Sequence, residues 1–152
     1  MPQESSGIPC IDFINKADHG DRYSSRAREF RVVLERMLRA EAQGVGATDA
    51  DLDTLNDLLS RAAGLRGITP AVRGYGWGWR RDPGSLLVEL FPVAWSAAAV
   101  LTSADRHRLK LCDGCGLLFL DQSRNRSRRW CDMRSCGNRH KQQGHRKRGK
   151  ER

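Results

Sequence analysis

The sequence has no apolar run long enough to cross a membrane. Its longest apolar-rich stretch covers 16 residues, 86–101, and is interrupted by Glu89, Pro92 and Ser96, whereas a transmembrane helix needs about 20 largely uncharged residues. The opening MPQESSGIPC lacks the basic flank and apolar run of a signal peptide. We therefore expect a buried helix over 86–101 and a cytoplasmic protein that makes no membrane contact.

The sequence also lacks the residue sets that enzymes use. It shows no nucleophile paired with a base, no phosphate-binding glycine motif and no carboxylate pair beside a histidine. A nuclease would need metal-binding His and Asp residues together, and His140 and His145 have no carboxylates close by. We expect no enzymatic activity.

No Gly/Ser linker and no repeat divides the chain, but its charge does. Residues 1–104 contain 12 Lys/Arg and 13 Asp/Glu, whereas residues 105–152 contain 15 Lys/Arg and 5 Asp/Glu, so the net charge of +9 comes entirely from the last third. Such asymmetry is typical of a neutral body that carries a basic segment for phosphate. We expect an N-terminal domain over 1–104 and a basic domain over 105–152.

The first domain shows helical patterning with one β-like interruption. Apolar residues recur at helical spacing over 24–43, which Gly44 and Gly46 end, and again from the N-cap Thr48 to Gly64. A long apolar helix is expected from Asp82-Pro83 to Leu101, kinked or split at Pro92, and Ser103 is expected to cap a final short helix. The expected fold class is α+β, with a mainly helical first domain.

The interruption places Tyr75, Trp77 and Trp79 in alternation with glycines, which predicts one or two short strands within 68–81. Such an aromatic stripe packs in a core or on a sheet more often than it lines a ligand pocket. We favour packing, and the pocket stays the alternative. The lone Cys10 is expected to be a small buried residue.

Four of the five cysteines lie within 25 positions, at Cys112, Cys115, Cys131 and Cys136. The spacing C-x2-C-x15-C-x4-C, together with the absence of an export signal, favours metal binding over disulfides. Zinc takes four thiolates in a tetrahedron, and four protein ligands leave no position for a reacting water. We predict one structural zinc ion.

The residues around these cysteines predict a small treble-clef-like finger made of a hairpin and a helix. Residues 117–120 are expected to form a strand, 121–125 a turn, and 126–130 a return strand that leads to Cys131. The helix is expected from Met133 to Arg148, with Cys136 in its first turn. On the return strand, Arg126 and Arg128 would face away from Arg129.

The string FLDQSRNRSRRWCDMRSCGNRHKQQGHRKR closely resembles the CGNR zinc finger, which is named for the residues found here as Cys136, Gly137, Asn138 and Arg139. Members of that family join the finger to an N-terminal helical domain described as a stress-induced transcription regulator. Residues 11–15, IDFIN, resemble the usual start of that domain. The resemblance implies a bacterial DNA-binding protein associated with the nucleoid.

Nucleic-acid contacts are expected from two basic clusters, one on the hairpin and one on the helix and tail. Asn138 and Arg139 could instead brace the zinc site through hydrogen bonds to its ligands. The clusters comprise Arg124, Arg126, Arg128 and Arg129, and then Arg139, Lys141, Arg146 and Lys147.

A helix in such a finger suits the major groove, with Arg and Asn facing bases and Lys facing phosphates. We therefore expect a transcriptional regulator that binds double-stranded DNA through the finger, while the first domain binds a small-molecule effector or forms a homodimer. Two alternatives stay open. The same charges suit an RNA-binding module, and the finger could be a zinc-stabilised adaptor for another protein.

Overall fold

The computed structural model describes residues 6–16 and 24–142. Its elements are four helices, a first hairpin of two strands, a 3-10 turn, a second hairpin and a final helical segment. The helices are α1 (Pro9–Asn15), α2 (Ser25–Ala42), α3 (Asp49–Ala63) and α4 (Gly84–Thr102), and the strands are β1 (Arg66–Ala71), β2 (Gly74–Trp79), β3 (Leu109–Leu111) and β4 (Leu118–Leu120). The expected α+β class, with a helical first part and a cysteine-rich finger, is confirmed.

The ends of α2 and α3 follow from their capping residues. Ser24 Oγ accepts a hydrogen bond from the amide of Ala27, and Thr48 Oγ1 accepts one from the amide of Asp51. The carboxylate of Asp51 is buried against the guanidinium of Arg36 on α2, with Nε 3.0 Å from Oδ2. This ion pair ties the start of α3 to the middle of α2.

The core of the body lies between α4 and the other three helices, all of which it contacts. The helix α4 extends the apolar stretch of 86–101 to 19 residues, so by length and composition it is long and apolar enough to cross a membrane, contrary to the expectation from the sequence. In the structure its Leu87, Leu90, Ala94 and Ala97 are buried in the core. Pro92 is exposed and does not split α4, which runs unbroken from Gly84 to Thr102. Cys10 is fully buried, as expected.

Two expectations at the edges of the body were wrong or incomplete. Ser103 ends α4 instead of capping a new helix, since its Oγ donates to the carbonyl of Val100 at 2.9 Å, and only a 3-10 turn, Arg106–Arg108, follows. Helix α1 was not predicted, because seven residues are too few for a helical period to stand out.

The first hairpin, β1–β2, separates its residues onto two faces. Cross-strand partners are Arg66 with Trp79, Ile68 with Trp77, and Pro70 with Tyr75, while the other face is mostly glycine. Trp79 packs edge-on against Phe91 of α4 at 5.4 Å, as expected for a packed aromatic. Tyr75 and Trp77 differ from that expectation, because they are 79% and 71% exposed.

The second hairpin, β3–β4, brings the finger onto the body. Its register pairs Leu109 with Leu120 and Leu111 with Leu118. Leu109 and Leu118 are buried in the same core as the helices. The finger is therefore docked on the helical body.

Candidate metal centre and nucleic-acid interface

The four cysteine sulfurs of the finger form one cluster. All four Sγ atoms lie within 4.8 Å of one another, and Cys131 Sγ lies 3.6 Å from Cys115 Sγ and 3.8 Å from Cys136 Sγ. A tetrahedral zinc ion with Zn–S bonds of about 2.3 Å requires sulfur separations of about 3.8 Å. The cluster therefore fits one zinc ion, and the predicted ligand set, Cys112, Cys115, Cys131 and Cys136, is positioned to bind it.

The thiols of this cluster differ in acidity. Burial raises the pKa of Cys112, but hydrogen bonds from the backbone at Cys131, Gly114 and Cys115 outweigh burial and lower it to about 7. Burial raises the pKa of Cys115 and the pKa of Cys131, and the hydrogen bond of each with Cys112 raises it further. A bound divalent cation would offset these raised pKa values, because its positive charge favours the thiolate form of each ligand.

The first two ligands are held by the loop that joins β3 to β4. The amide of Cys112 donates to the carbonyl of Leu117 at 2.9 Å, and the amide of Gly116 donates to the carbonyl of Cys112 at 2.8 Å. Gly116 has a φ of +71°, which favours glycine. A side chain at Gly114 would lie 3.2 Å from Cys136 Cβ, so glycine here lets the two ligand pairs approach each other.

The expected return strand over 126–130 is absent, and the partner of β4 is β3, which precedes the first cysteine. Arg126 has a φ of 52°, in the left-handed region, which interrupts an extended backbone. The segment is held mainly by side chains instead. Lys110 Nζ donates to the carbonyls of Arg126 and Arg128 at 2.5 and 3.3 Å. The expectation that its arginines alternate across a strand is therefore wrong.

Asp121 is the centre of this side-chain network and is fully buried. Oδ1 accepts from the amide and hydroxyl of Ser123 at 3.0 and 2.6 Å, and Oδ2 accepts from the amide of Arg128 and from Lys110 Nζ at 2.9 and 2.8 Å. Burial raises the pKa of Asp121, but Lys110, Ser123 and the Arg128 amide together hold that pKa well below its usual range. The hydrogen bonds of Asp121 therefore order the long connection between the two pairs of cysteine ligands.

The last ligand is placed by a helix that begins at Met133. The carboxylate of Asp132 accepts from the amides of Arg134 and Ser135 at 3.1 and 2.9 Å and so caps the helix. The first turn, Met133–Gly137, is a π-helix that carries Cys136, and an α-helix continues to residue 142. The start of the predicted helix is confirmed, and its remaining residues lie outside the described ones.

A second contact fixes the finger to the body at the start of the chain. The side chain of Asn15, the last residue of α1, makes two hydrogen bonds to the backbone of Leu118 on β4. Nδ2 donates to the carbonyl at 2.7 Å, and Oδ1 accepts from the amide at 3.2 Å. No local pattern pointed to this role, although Asn15 ends the IDFIN string.

The basic residues of the finger fall into two groups. Some make ion pairs, hydrogen bonds or ring contacts within the chain. Arg129 Nε lies 2.7 Å from Asp113 Oδ2 and its guanidinium lies over Trp130, while Arg128 donates to the carbonyl of Cys131 and lies over the ring of Phe119. Lys110 is bound to Asp121. These cations are part of the finger's own framework.

The other group is exposed and forms no ion pair with the described residues. It includes Arg134, which sequence reasoning left out although it lies within the predicted helix. Its members are Arg124, Arg126, Arg134, Arg139 and Lys141. Arg146 and Lys147 lie outside the described residues. Asn138 and Arg139 are exposed and make no hydrogen bond to a described ligand cysteine, so the idea that they brace the zinc site gains no support.

The body carries one further feature, a groove of about 530 Å³ between α2, α3 and α4. Its floor is apolar and includes Phe30, Leu58 and Leu90, whereas charged side chains of both signs line its rim. The groove is open to solvent.

These features define a zinc-finger protein in which a compact metal module is docked on a four-helix body. Residues 108–149 match the family model described as "CGNR zinc finger", and residues 13–104 match the ABATE model, described as "Putative stress-induced transcription regulator". The second match covers more than half of the chain, so the chain belongs to this family, with the ABATE domain followed by the CGNR finger. A search of curated proteins gave no match. The resemblance expected from the sequence is confirmed, and the chain is a zinc-binding regulatory protein.

Proposed function

We propose that this chain is a transcription regulator that binds double-stranded DNA through its zinc finger. The observation that carries the proposal is the division of the finger's cations into two groups. Arg129 and Lys110 form ion pairs within the chain, and Arg128 is half-buried and donates to the carbonyl of Cys131, whereas five described cations on the same finger are exposed and have no ion-pair partner among the described residues. Unpaired cations on a rigid surface are available to phosphates and base edges.

The exposed group occupies two neighbouring elements of the finger. Arg124 and Arg126 lie on the connection that Asp121 organises, and Arg134, Arg139 and Lys141 lie on the helix that begins at Met133. The zinc ion would link these elements through Cys131 and Cys136, so both would be held in a constant arrangement. In this proposal the helix enters the major groove while the connection contacts the backbone.

A salt titration tests the proposal. Affinity of the zinc-loaded protein for duplex DNA should fall as salt rises, with a log–log slope of about −0.9 for each phosphate neutralised. Arg124→Ala and Arg139→Ala should each weaken binding, with Arg124→Ala reducing the slope by about one phosphate. Arg81→Ala, which removes an exposed cation from the body, is the matched control and should change neither quantity.

The alternatives give different outcomes in the same assay. Tight binding to structured RNA with no measurable duplex DNA binding at low salt would replace the proposal with an RNA-binding function. Absence of binding to either nucleic acid would leave the adaptor function. If duplex DNA binds, a selection of bound sequences from genomic fragments identifies the target site.

The groove between α2, α3 and α4 is the place that we propose for a small-molecule effector. It is bounded by α2, which also contacts β3 and β4 of the finger. A ligand that displaces α2 would therefore shift the surface that contacts β3 and β4 of the finger.

A further inference from the structure

The β1–β2 hairpin, called the aromatic arm below, leaves half of its apolar face uncovered. Trp79 packs on Phe91, but the next two cross-strand pairs, Ile68 with Trp77 and Pro70 with Tyr75, are largely open to solvent. An isolated two-stranded hairpin is only marginally stable unless its apolar face is packed against something. We therefore expect the exposed half of the arm's apolar face to pack against another surface.

A second uncovered apolar surface lies on α4. The residues at positions 88, 92, 95 and 99 share one side of the helix because they are spaced at four, three and four residues. All four are exposed, and none is charged. This α4 stripe consists of Val88, Pro92, Trp95 and Ala99.

The arm and the stripe form one continuous surface. Phe91 joins them, since its ring contacts Trp79 at 5.4 Å on one side and stacks on Trp95 at 5.8 Å on the other. The guanidinium of Arg66 lies over the rings of both Trp79 and Phe91. Trp, Tyr and Arg are also the residues most enriched at the energetic centres of protein interfaces.

The size of this surface suits a protein interface. Tyr75, Trp77 and Trp95 are 63–79% exposed, and an aromatic side chain buries roughly 150–250 Å² when covered, so these three alone offer roughly 300–500 Å². The rest of the stripe and Ile68 extend this area towards the roughly 800 Å² that each partner contributes to a standard interface. A patch of this size is as large as the largest patch on a typical monomer, about 300–600 Å², and patches of that size are often functional.

We propose that this surface pairs with the same surface of a second copy of the chain, so that the arm of each copy lies on the α4 stripe of the other. A twofold dimer makes this contact twice and covers the arm and the stripe together. The α4 stripe has no charged residue to meet phosphates, which disfavours nucleic acid there, whereas Arg66 and Arg73 of the arm make single-stranded nucleic acid the competing occupant that the test below distinguishes. Glu89 lies beside the stripe. Its Oε1 is shielded from solvent and has no hydrogen-bond partner among the described residues, so it is available to a donor on the second copy.

Sedimentation of the zinc-loaded full-length protein over a dilution series, without nucleic acid, tests this proposal. We expect a dimer that dissociates on dilution. Trp77→Glu and Trp95→Glu should each raise the dimer dissociation constant by about a thousandfold, because a typical interface hot spot is worth about thirtyfold and the twofold symmetry places each substitution in both contacts. Val32→Glu, at an exposed apolar position on α2, is the control and should leave that constant unchanged. Unchanged circular dichroism and zinc content identify variants that remain folded.

The arrangement of arm on stripe has its own test. Trp77→Lys and Trp95→Glu should each prevent the homodimer, but a mixture of the two should form a heterodimer, because one contact then joins opposite charges and the other keeps both tryptophans. A mixture that stays monomeric would overturn this arrangement.

Two results would overturn the dimer itself. One is a wild-type protein that stays monomeric at every concentration. The other is a monomer whose affinity for a single-stranded thymidine oligonucleotide falls on Trp77→Glu, which would make the arm a base-stacking platform. Neither result affects the proposed duplex DNA binding, because the finger residues are unchanged in these variants.

Discussion

The body and the finger of this protein are stabilised by different means. The body buries a large cluster of apolar side chains from α1, α2, α3 and α4, and its buried Asp51 is paired with the exposed side chain of Arg36. Among its described residues, the finger's own buried cluster contains only Cys112, Phe119 and Cys136, with Trp130 and Cys131 packed against it. So small a core cannot offset the conformational entropy of about 30 ordered residues.

The finger replaces apolar burial with a metal and a buried carboxylate. Four thiolates on one zinc ion join the β3–β4 loop to the helix, and Asp121 orders the connection between them. A polar framework of this kind positions side chains accurately, but its stability depends on each of a few residues. The comparison predicts that the finger depends on individual polar groups, whereas the body depends on packing.

The largest expected effect follows from removing zinc. Metal binding supplies roughly 10–16 kcal/mol in small zinc modules, so chelation, or Cys112→Ser, should abolish hydrogen-exchange protection over 121–142. Helices α2 and α4 should keep theirs, because their core contains no metal ligand. Hydrogen exchange with mass spectrometry gives both readings at once. Protection over 121–142 that survives chelation would show that the finger does not need its metal.

A substitution in the apolar core should instead destabilise the body. Leu34 is fully buried on α2, and Leu34→Ala should lower the free energy of unfolding by about 3 kcal/mol through lost burial and the cavity it leaves. The zinc affinity of the folded protein should change little. Val32→Ala, two residues away and exposed, is the control. A loss of zinc affinity as large as the loss of stability would show that the two regions unfold as one unit.

Asp121→Asn tests the finger's polar framework. The substitution leaves Lys110 without its carboxylate and should cost about 2–3 kcal/mol, seen as faster exchange over 121–130 and faster loss of zinc to a chelating dye. Asp113→Asn breaks the exposed pair with Arg129 and should cost less than about 1 kcal/mol. Equal effects of the two substitutions would contradict the central role of Asp121.

Acid should weaken the body through Asp51. The hydrogen bonds from Arg36 lower the pKa of Asp51 in the folded protein, despite burial that opposes them. Its contribution to stability is therefore present above an unfolded pKa of about 3.9 and is lost as the pH falls below that value. Asp51→Asn should cost about 2 kcal/mol at neutral pH and flatten the dependence of stability on pH below about 4. Parallel pH profiles for both proteins would show that another carboxylate is responsible.

The elements that sequence alone predicted are those set by local chemistry. The zinc ligands follow from cysteine spacing, α2 and α3 follow from helical periodicity, and the start of α3 follows from the N-cap Thr48. Each of these depends on residues within a few positions of one another. The match between prediction and structure is closest there.

The elements that were missed or wrong depend on contacts between distant residues. Strand β3 has only three residues, and it is chosen as the partner of β4 because Leu109 and Leu118 are buried together in the body. The side chain of Asn15 meets Leu118 across 103 positions of sequence. The exposure of Tyr75 and Trp77 could not be predicted from the sequence either, because an alternating strand pattern does not show whether another element covers the apolar face.

The contact between Asn15 and Leu118 gives the smallest expected effect and the sharpest test of how the two regions are joined. Asn15→Ala removes two hydrogen bonds and should cost roughly 1–2 kcal/mol. Amide exchange at Leu118 should accelerate, while exchange within α4 should not, because the helical core does not include Asn15. Asn56→Ala, at an exposed position on α3, is the matched control. If exchange at Leu118 is unchanged, the buried leucines of β3 and β4 alone hold the finger on the body.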